Sequence, residues 1–319
     1  MGQLVDGKWV TEQIVVKNSD GRFRRKPMAF RNWIKADGST PFTPDANRYH
    51  LYVANACPWA HRAMIFRKLR NLEDSISISI VDTLMFDNGW RFREGPGYIP
   101  DTINQKQFLY EVYAKADPTF TGRVTVPVLW DKQNETIVNN ESSEIIRMLN
   151  SEFKGIASEG TDYYPAHLAA EIDEINERIY HTVNNGVYKS GFARTQDAYV
   201  EAVTALFDTL DFLEERLSTQ RYLVGDQITE ADWRLFTTLV RFDPVYVGHF
   251  KCNLKRIVDY HHLSNYLREL YQIPGVADTV NLDQIKEHYY RSHESVNPSR
   301  VVPIGPEIDY SLPHDRHHL

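Results

Sequence analysis

The chain has 319 residues, of which 42% are hydrophobic and 25% charged, and 36 Lys and Arg against 43 Asp and Glu give a formal net charge of -7. At roughly 100 to 200 residues per domain this length suggests two domains, and the acidic balance offers no global basic field for nucleic-acid phosphates. No run approaches the roughly 18 apolar residues of a membrane helix, no positive region followed by an apolar one opens the chain, and two cysteines, Cys57 and Cys252, are too few for a disulfide framework. A cytoplasmic protein is expected, with thiols kept reduced. A CxxC pair, a metal-spaced Cys/His cluster and a GxGxxG loop are all missing from the sequence, which argues against zinc ribbons and dinucleotide folds.

Residues 1–48 read as an irregular N-terminal extension, punctuated by "ADGSTPFTPDANR". Its basic cluster "GRFRRKPMAF" is a solvated loop more readily than a polyanion site in so acidic a chain. Tyr49 to Ala54 is a strand candidate. From Pro58 the residues Ala60, Ala63, Met64, Phe66 and Leu69 recur with helical spacing, and a proline suits the first helical turn because its missing N–H has no partner to lose there. "SISISIVDT" at 75–83 alternates as a strand should, so a crossover helix between two strands implies a parallel βαβ unit.

A long insertion, 84–121, is rich in Gly, Pro and aromatics, a length usually kept only for functional loops. Strands "TVPVLWD" and "ETIVNN" and the helix "SSEIIRMLNSEF" follow. The order βα, β, ββα predicts an α/β thioredoxin-like domain over 49–155. Pro127 interrupts a strand, and a cis Val126–Pro127 bond is one special site at which that is tolerated.

From residue 160 to 295 the sequence predicts an all-α domain, in long amphipathic helices carried by 165–192, 195–217, 229–246 and 263–273. Thr229 with Asp232 three residues on reads as a helix cap with a structural role. The proline-rich stretch 296–319 reads as an extended tail.

Cys57 falls at the strand-to-helix junction, where unpaired backbone N–H groups and the positive end of the helix dipole favour thiolate over thiol. The bland alternative is an inert buried side chain. Pro58, the preceding strand and the downstream "TVPVLW" tip the balance to a nucleophile, because a thioredoxin-like fold sets this junction beside the proline-bearing strand. Position 60 is Ala, so no internal resolving thiol stands at CxxC spacing and an external thiol must clear any mixed disulfide. His61, four residues on, is more often a core or surface histidine and is left out of the site. Glu141 and Ser142 start a helix, where an ammonium and a carboxylate can be held together; a simple N-cap with a flanking acid is the alternative.

Together "NACPWAHR", "TVPVLWD", "NNESSEI", "YLVGDQITEADWRLFTTLVRFDPVY" and "HFKCNL" resemble the glutathionyl-hydroquinone reductases, the Xi class of glutathione transferases, over most of the chain. The resemblance implies a thioredoxin-like domain followed by an all-α glutathione-transferase domain, a homodimer, no bound metal and glutathione as co-substrate. It implies reduction of a glutathionyl-hydroquinone to hydroquinone with release of oxidised glutathione. Carried over by motif, Cys57 is the nucleophile, and Trp90, Arg123, Val124, Thr125, Val126, Glu141 and Ser142 hold glutathione. Three tyrosines that the family gathers around the cysteine fall on Tyr188, Tyr246 and Tyr289, with Tyr290 adjacent to the last as an alternative. A thioltransferase or dehydroascorbate reductase of the Omega kind would use the same Cys57 without a tyrosine cluster, and a glutathione-binding module would lack a reactive thiol. Cys252 is assigned to the core of the helical domain.

Overall fold

A computed structural model of the chain describes residues 2–11 and 20–319. They form two compact units: one contains residues 2–11 and 27–160, the other 20–26 and 161–319. The expected N-terminal extension is therefore shared between the two, and its residues 1 and 12–19 lie outside the described residues. Nor is it irregular throughout. Strands β1 (Gln3–Val5) and β2 (Lys8–Val10) form a hairpin around Asp6 and Gly7, whose φ values of 47° and 72° are those of a tight hairpin turn. Strands of three residues are too short to show a period, so only the Asp-Gly pair marked them. Leu4 and Gly122 exchange both backbone hydrogen bonds, at 3.0 and 2.9 Å, which fastens the hairpin to the segment just before Arg123.

The first unit is built on a four-stranded sheet of order β4-β3-β5-β6. The central strand β3 (Tyr49–Val53) is buried along its whole length, as expected of a strand covered on both faces. Helix α1 (Pro58–Leu69) carries the chain over to β4 (Ile76–Ile80), which pairs parallel to β3. The insertion then supplies an element that the sequence pattern does not reveal: α2 (Leu109–Ala116), which buries Leu109, Val112 and Tyr113. Its start is set by the Glu111 carboxylate, which accepts the N–H groups of Gln107 and Phe108 at 3.0 and 2.8 Å. Eight residues give barely two turns, and the Gly- and Pro-rich flanks masked them. Strands β5 (Val128–Asp131) and β6 (Thr136–Asn139) follow antiparallel, and α3 (Ser142–Ser151) packs against α1. The order is βαβαββα, the thioredoxin-like arrangement.

Pro127 proves to precede β5 rather than to interrupt it, so no ladder N–H is missing. The Val126–Pro127 peptide is cis.

The second unit is helical. It comprises α4 (Ala169–Ile179), α5 (Gly186–Gly191), α6 (Gln196–Leu217), α7 (Glu230–Arg241), α8 (Val247–His249), α9 (His261–Tyr271) and α10 (Leu282–Ser292). Of the stretches predicted as continuous helix, 165–192 is divided by a π-helical turn, Tyr180–Asn184 between α4 and α5, and 229–246 ends in another, Phe242–Tyr246, which leads into α8. In the first, the Asn185 N–H bonds back five residues to the Tyr180 carbonyl at 2.9 Å. The Asn184 amide holds the turn against α7, donating to the Arg234 carbonyl at 3.1 Å and to Thr238 Oγ1 at 2.8 Å. One extra residue shifts the phase of the apolar pattern by about 100° without interrupting it, so both stretches still read as continuous helix.

The expected cap of α7 is present and buried. Asp232, with no exposed surface, accepts from the Thr229 N–H at 2.7 Å, Thr229 Oγ1 at 3.0 Å, the Leu223 N–H at 2.9 Å and the Tyr266 hydroxyl at 2.7 Å. The carboxylate thus joins the start of α7 to the preceding loop and to α9. The C-terminal tail closes on the same unit through buried Arg316, which donates to the carbonyls of Leu217, Gln220 and Arg221.

Candidate active site

Strand β3 delivers the chain through buried Ala54, Asn55 and Ala56 to Cys57, which is the N-cap of α1, with φ -80° and ψ 121°. Pro58 takes the first helical position, where its fixed φ is already helical. The His61 N–H returns to the Cys57 carbonyl at 3.0 Å and closes the first turn. Because β5 pairs directly with β3, the residue before Pro127 reaches the same end of the sheet: the Cys57 thiol points at the Val126 carbonyl with Sγ 3.6 Å away. Cys57 is partly exposed and stands at the positive end of α1, the setting in which a thiolate is favoured over a thiol. His61 is fully buried.

Cys252 is the contrasting case. It is wholly buried in the helical unit, and burial pushes its thiol up to about 12. Iodoacetamide near neutral pH is therefore expected to modify one cysteine rapidly, mapped by peptide mass spectrometry to Cys57, with Cys252 labelled only after unfolding. Equal labelling of the two in the native protein would contradict this assignment.

At the start of α3 the capping residue is Glu141, not a serine flanked by an acid as the alternative reading had it. The Glu141 carboxylate accepts from the Ser143 N–H at 3.0 Å and from Ser143 Oγ at 2.8 Å, and the Glu141 N–H donates to Asn139 Oδ1 at 2.7 Å. Ser142 is the first helical residue, buried, and its hydroxyl accepts from Arg62 Nη1 at 3.4 Å. Arg62 was missed in the sequence. It is 2% exposed on α1, and its guanidinium lies over the Trp59 ring at 4.6 Å. The signal was a charged residue at helical spacing from Pro58, Ile65 and Phe66, which are buried. A negative group at partly exposed Glu141, a hydroxyl at Ser142 and a buried cation behind it form a patch suited to an α-amino acid end.

Trp90, in the insertion, is 6% exposed and is fixed by its carbonyl, which accepts the Leu109 N–H at 2.9 Å. Of the predicted run Arg123 to Val126, Arg123 is exposed and Val126 buried. Tyr113 clamps the segment between them. Its hydroxyl donates to the Thr125 carbonyl at 2.8 Å and accepts the Thr125 N–H at 3.3 Å and the Asn140 amide at 3.1 Å. The same tyrosine thus fixes the approach to Pro127 and the approach to α3.

In the helical unit the three predicted tyrosines meet. Tyr289 is central: its hydroxyl lies 2.6 Å from that of Tyr188 and 3.0 Å from that of Tyr246. Tyr188 belongs to α5 just after the first π-helical turn, Tyr246 ends the second, and Tyr289 comes from α10. Tyr290 faces elsewhere, with its ring 4.8 Å from that of His249. The Phe250 ring packs against all three, at 5.4, 5.6 and 5.7 Å. It fits because residue 191 is glycine: a Cβ there would lie 2.1 Å from the Phe250 ring. Burial holds the Tyr246 and Tyr289 hydroxyls well above the ordinary phenol range, and the buried Arg241 guanidinium opposes that rise at both. Tyr188 is the most exposed of the three, at 9%.

Among the described residues no group of three or more His, Cys, Asp or Glu side chains is placed to hold a metal ion, and no helix is long and apolar enough to cross a membrane. The family model for the glutathione S-transferase N-terminal domain matches residues 56–152, and that for the C-terminal domain matches 169–269. The chain is 54% identical over 323 residues to the glutathionyl-hydroquinone reductase YqjG of Escherichia coli (strain K12), covering 99% of this chain and 98% of the relative. It is 55% identical over 306 residues to the glutathionyl-hydroquinone reductase PcpF of Sphingobium chlorophenolicum, covering 96% of each. Among solved structures, the Xi-class glutathione transferase of Natrialba magadii superposes with a TM-score of 0.95 at 48% identity, covering 100% of this chain and 97% of that one. The glutathione-bound structure of Escherichia coli YqjG gives 0.91 at 53%, covering 98% and 99%.

Proposed function

This chain belongs to the Xi class of glutathione transferases, the glutathionyl-hydroquinone reductases, and from that premise we propose that Cys57 is the nucleophile with which it works. The enzyme uses glutathione as co-substrate to reduce glutathionyl-hydroquinones to hydroquinones, with oxidised glutathione as the second product. The observation that carries the mechanism is the placement of Cys57 Sγ at the start of α1, beside the Val126 carbonyl, with Ala60 where a resolving cysteine would stand.

The chemistry has one difficult step, breaking a bond between sulfur and an aromatic carbon. Tyr188, as general acid, protonates the ring carbon that bears the sulfur, and its phenolate recovers a proton from the ring hydroxyl that becomes a ketone. Cys57 thiolate then attacks the glutathionyl sulfur. The electron pair of the carbon–sulfur bond returns to the ring, which regains aromaticity, and the ketone oxygen takes up a proton as hydroquinone. Cys57 is left in a mixed disulfide with glutathione. The thiolate of a second glutathione, having given up that proton, attacks the glutathionyl sulfur of the mixed disulfide, releases oxidised glutathione and restores Cys57, in a ping-pong sequence. In balance, one thiol sulfur and one thioether sulfur are joined as a disulfide, and the ring carbon that bore the thioether is reduced.

Within this reading the γ-glutamyl end of glutathione lies on Glu141 and Ser142, with Arg62 behind the hydroxyl. Trp90 and the run Arg123, Val124, Thr125 and Val126 hold the rest. A homodimer in the reducing cytoplasm, acting without nucleic acid or membrane, completes it. Intact-mass measurement after mixing the enzyme with a glutathionyl-hydroquinone alone is expected to reveal one added glutathione, mapped to Cys57 and removed by free glutathione. Hydroquinone release with no adduct on Cys57 would overturn the mechanism.

A further inference from the structure

Residues 20–26, although far from the helices in sequence, are part of the helical unit, where they contact α5, the residues that flank it and α6. The Gly21 carbonyl accepts the Arg194 N–H at 3.0 Å. Gly21 has a φ of 69°, and a Cβ there would come within 2.7 Å of Thr195, so both the bend and the close approach call for glycine. Arg22 pairs with Glu201 on α6 at 2.6 Å. Phe23 stacks against Tyr188 and packs on Phe192, with ring centroids 6.5 and 5.5 Å apart. Arg25 comes next on the same strap. Its Nε donates to Asn185 Oδ1 at 2.8 Å, and its guanidinium carbon lies 5.1 Å from the centre of the Tyr188 ring. Asn185 is 4% exposed and directly precedes α5, so the helix that carries Tyr188 also fixes the amide that orients Arg25.

We propose that Arg25 is a positioning residue for Tyr188: held over the ring by Asn185, its positive charge strengthens Tyr188 as the proton donor. This rests on the reading of Tyr188 as the acid. A cation within about 6 Å of a ring centroid is attracted to the ring face, and a nearby positive charge favours the ionised form of a phenol. Loss of the Tyr188 proton is further supported at its oxygen, where Tyr289 can donate at 2.6 Å. Tyr289 and Tyr246 are pushed well above the ordinary phenol range and stay protonated, with Arg241 the charge acting on them. Lys189, on α5 itself, donates to the His181 carbonyl at 2.9 Å. The N-terminal strap thereby supplies a charge to a cluster otherwise assembled from α5, the second π-helical turn and α10.

The test compares Arg25→Gln, Arg25→Lys and Arg22→Ala on two substrates, a glutathionyl-hydroquinone and a small glutathione mixed disulfide, which needs no ring proton. Arg25→Gln is expected to lower the ratio of the two kcat values by roughly tenfold, the equivalent of one pKa unit. It should also move the alkaline limb of the glutathionyl-hydroquinone profile to higher pH, because a phenol that loses a neighbouring cation holds its proton longer. Arg25→Lys should keep most of the ratio, and Arg22→Ala, which removes an exposed anchor of the same strap, should leave it unchanged. An unaltered ratio in Arg25→Gln, a lysine variant as impaired as the glutamine one, or an Arg22→Ala variant that reproduces Arg25→Gln would each overturn the proposal. Tyr188→Phe run alongside separates the two readings. If it alone depresses the ratio, only the role of Arg25 falls; if it too leaves the ratio untouched, the acid role of Tyr188 falls first.

Discussion

Cys57→Ala is expected to lower turnover of a glutathionyl-hydroquinone by at least about 10³-fold, the scale on which loss of a covalent nucleophile is felt, while glutathione still binds. The expectation comes from the division of labour in the first unit. The sulfur stands at the start of α1, whereas the groups assigned to glutathione stand on α3, in the insertion and in the run before Pro127. Alanine at the N-cap removes no hydrogen bond from the helix start, because the cysteine side chain does not cap it. Folding should survive. Steady-state kinetics together with calorimetric titration of glutathione would check both halves. Turnover kept within a factor of a few would remove Cys57 from the mechanism, and loss of binding with loss of turnover would mean that the thiol serves mainly to hold the ligand.

Tyr188→Phe is expected to slow hydroquinone release by about 10² to 10⁴-fold, the usual contribution of a positioned general acid, with a much smaller effect on a small mixed disulfide. The hydroxyl is the edge of a hydrogen-bonded row that continues to Tyr289 and Tyr246. Its removal leaves the ring in place against Phe192 and Phe250, so the packing stays while the proton goes. Equal slowing of both substrates would argue that the tyrosine shapes the site and does not act as an acid there. The same comparison addresses the thioltransferase alternative, which has no use for a ring proton.

The elements that bear the thiol were legible because each announces itself locally. A largely apolar strand, a cysteine and a proline at the first helical position leave little choice of backbone, and the same holds for the capped start of α7 at Thr229 and Asp232. The rest depended on contacts distant in sequence. Arg62 closes the quoted run NACPWAHR, yet its role shows only in its burial against Ser142; Arg25 lies in the basic cluster read as a solvated loop, and its role shows only in its bond to an asparagine 160 residues away. Helix α2 and the N-terminal hairpin were too short to be periodic, and their caps and turns come from single residues, Glu111 and Gly7. The pair Tyr289 and Tyr290 could not be separated by pattern, since neighbours on a helix differ by about 100° and the choice was made by what surrounds them: Tyr188 and Tyr246 on one side, His249 on the other.

The two π-helical turns make the tyrosine cluster a matter of counting as well as of chemistry. Each takes in one residue more than an α-helix would, and Tyr188 lies four residues beyond the first while Tyr246 closes the second. Excision of a single residue between Tyr180 and Asn184 would be absorbed as that turn relaxes into ordinary helix, with Tyr188 still facing Tyr289, whereas the same excision within α10 ahead of Tyr289, where no turn holds a spare residue, would rotate Tyr289 against the rest of its helix by about 100° although no residue of the cluster had been exchanged. Sensitivity of this kind is invisible to a scan of substitutions and shows only when the chain is shortened or lengthened by one.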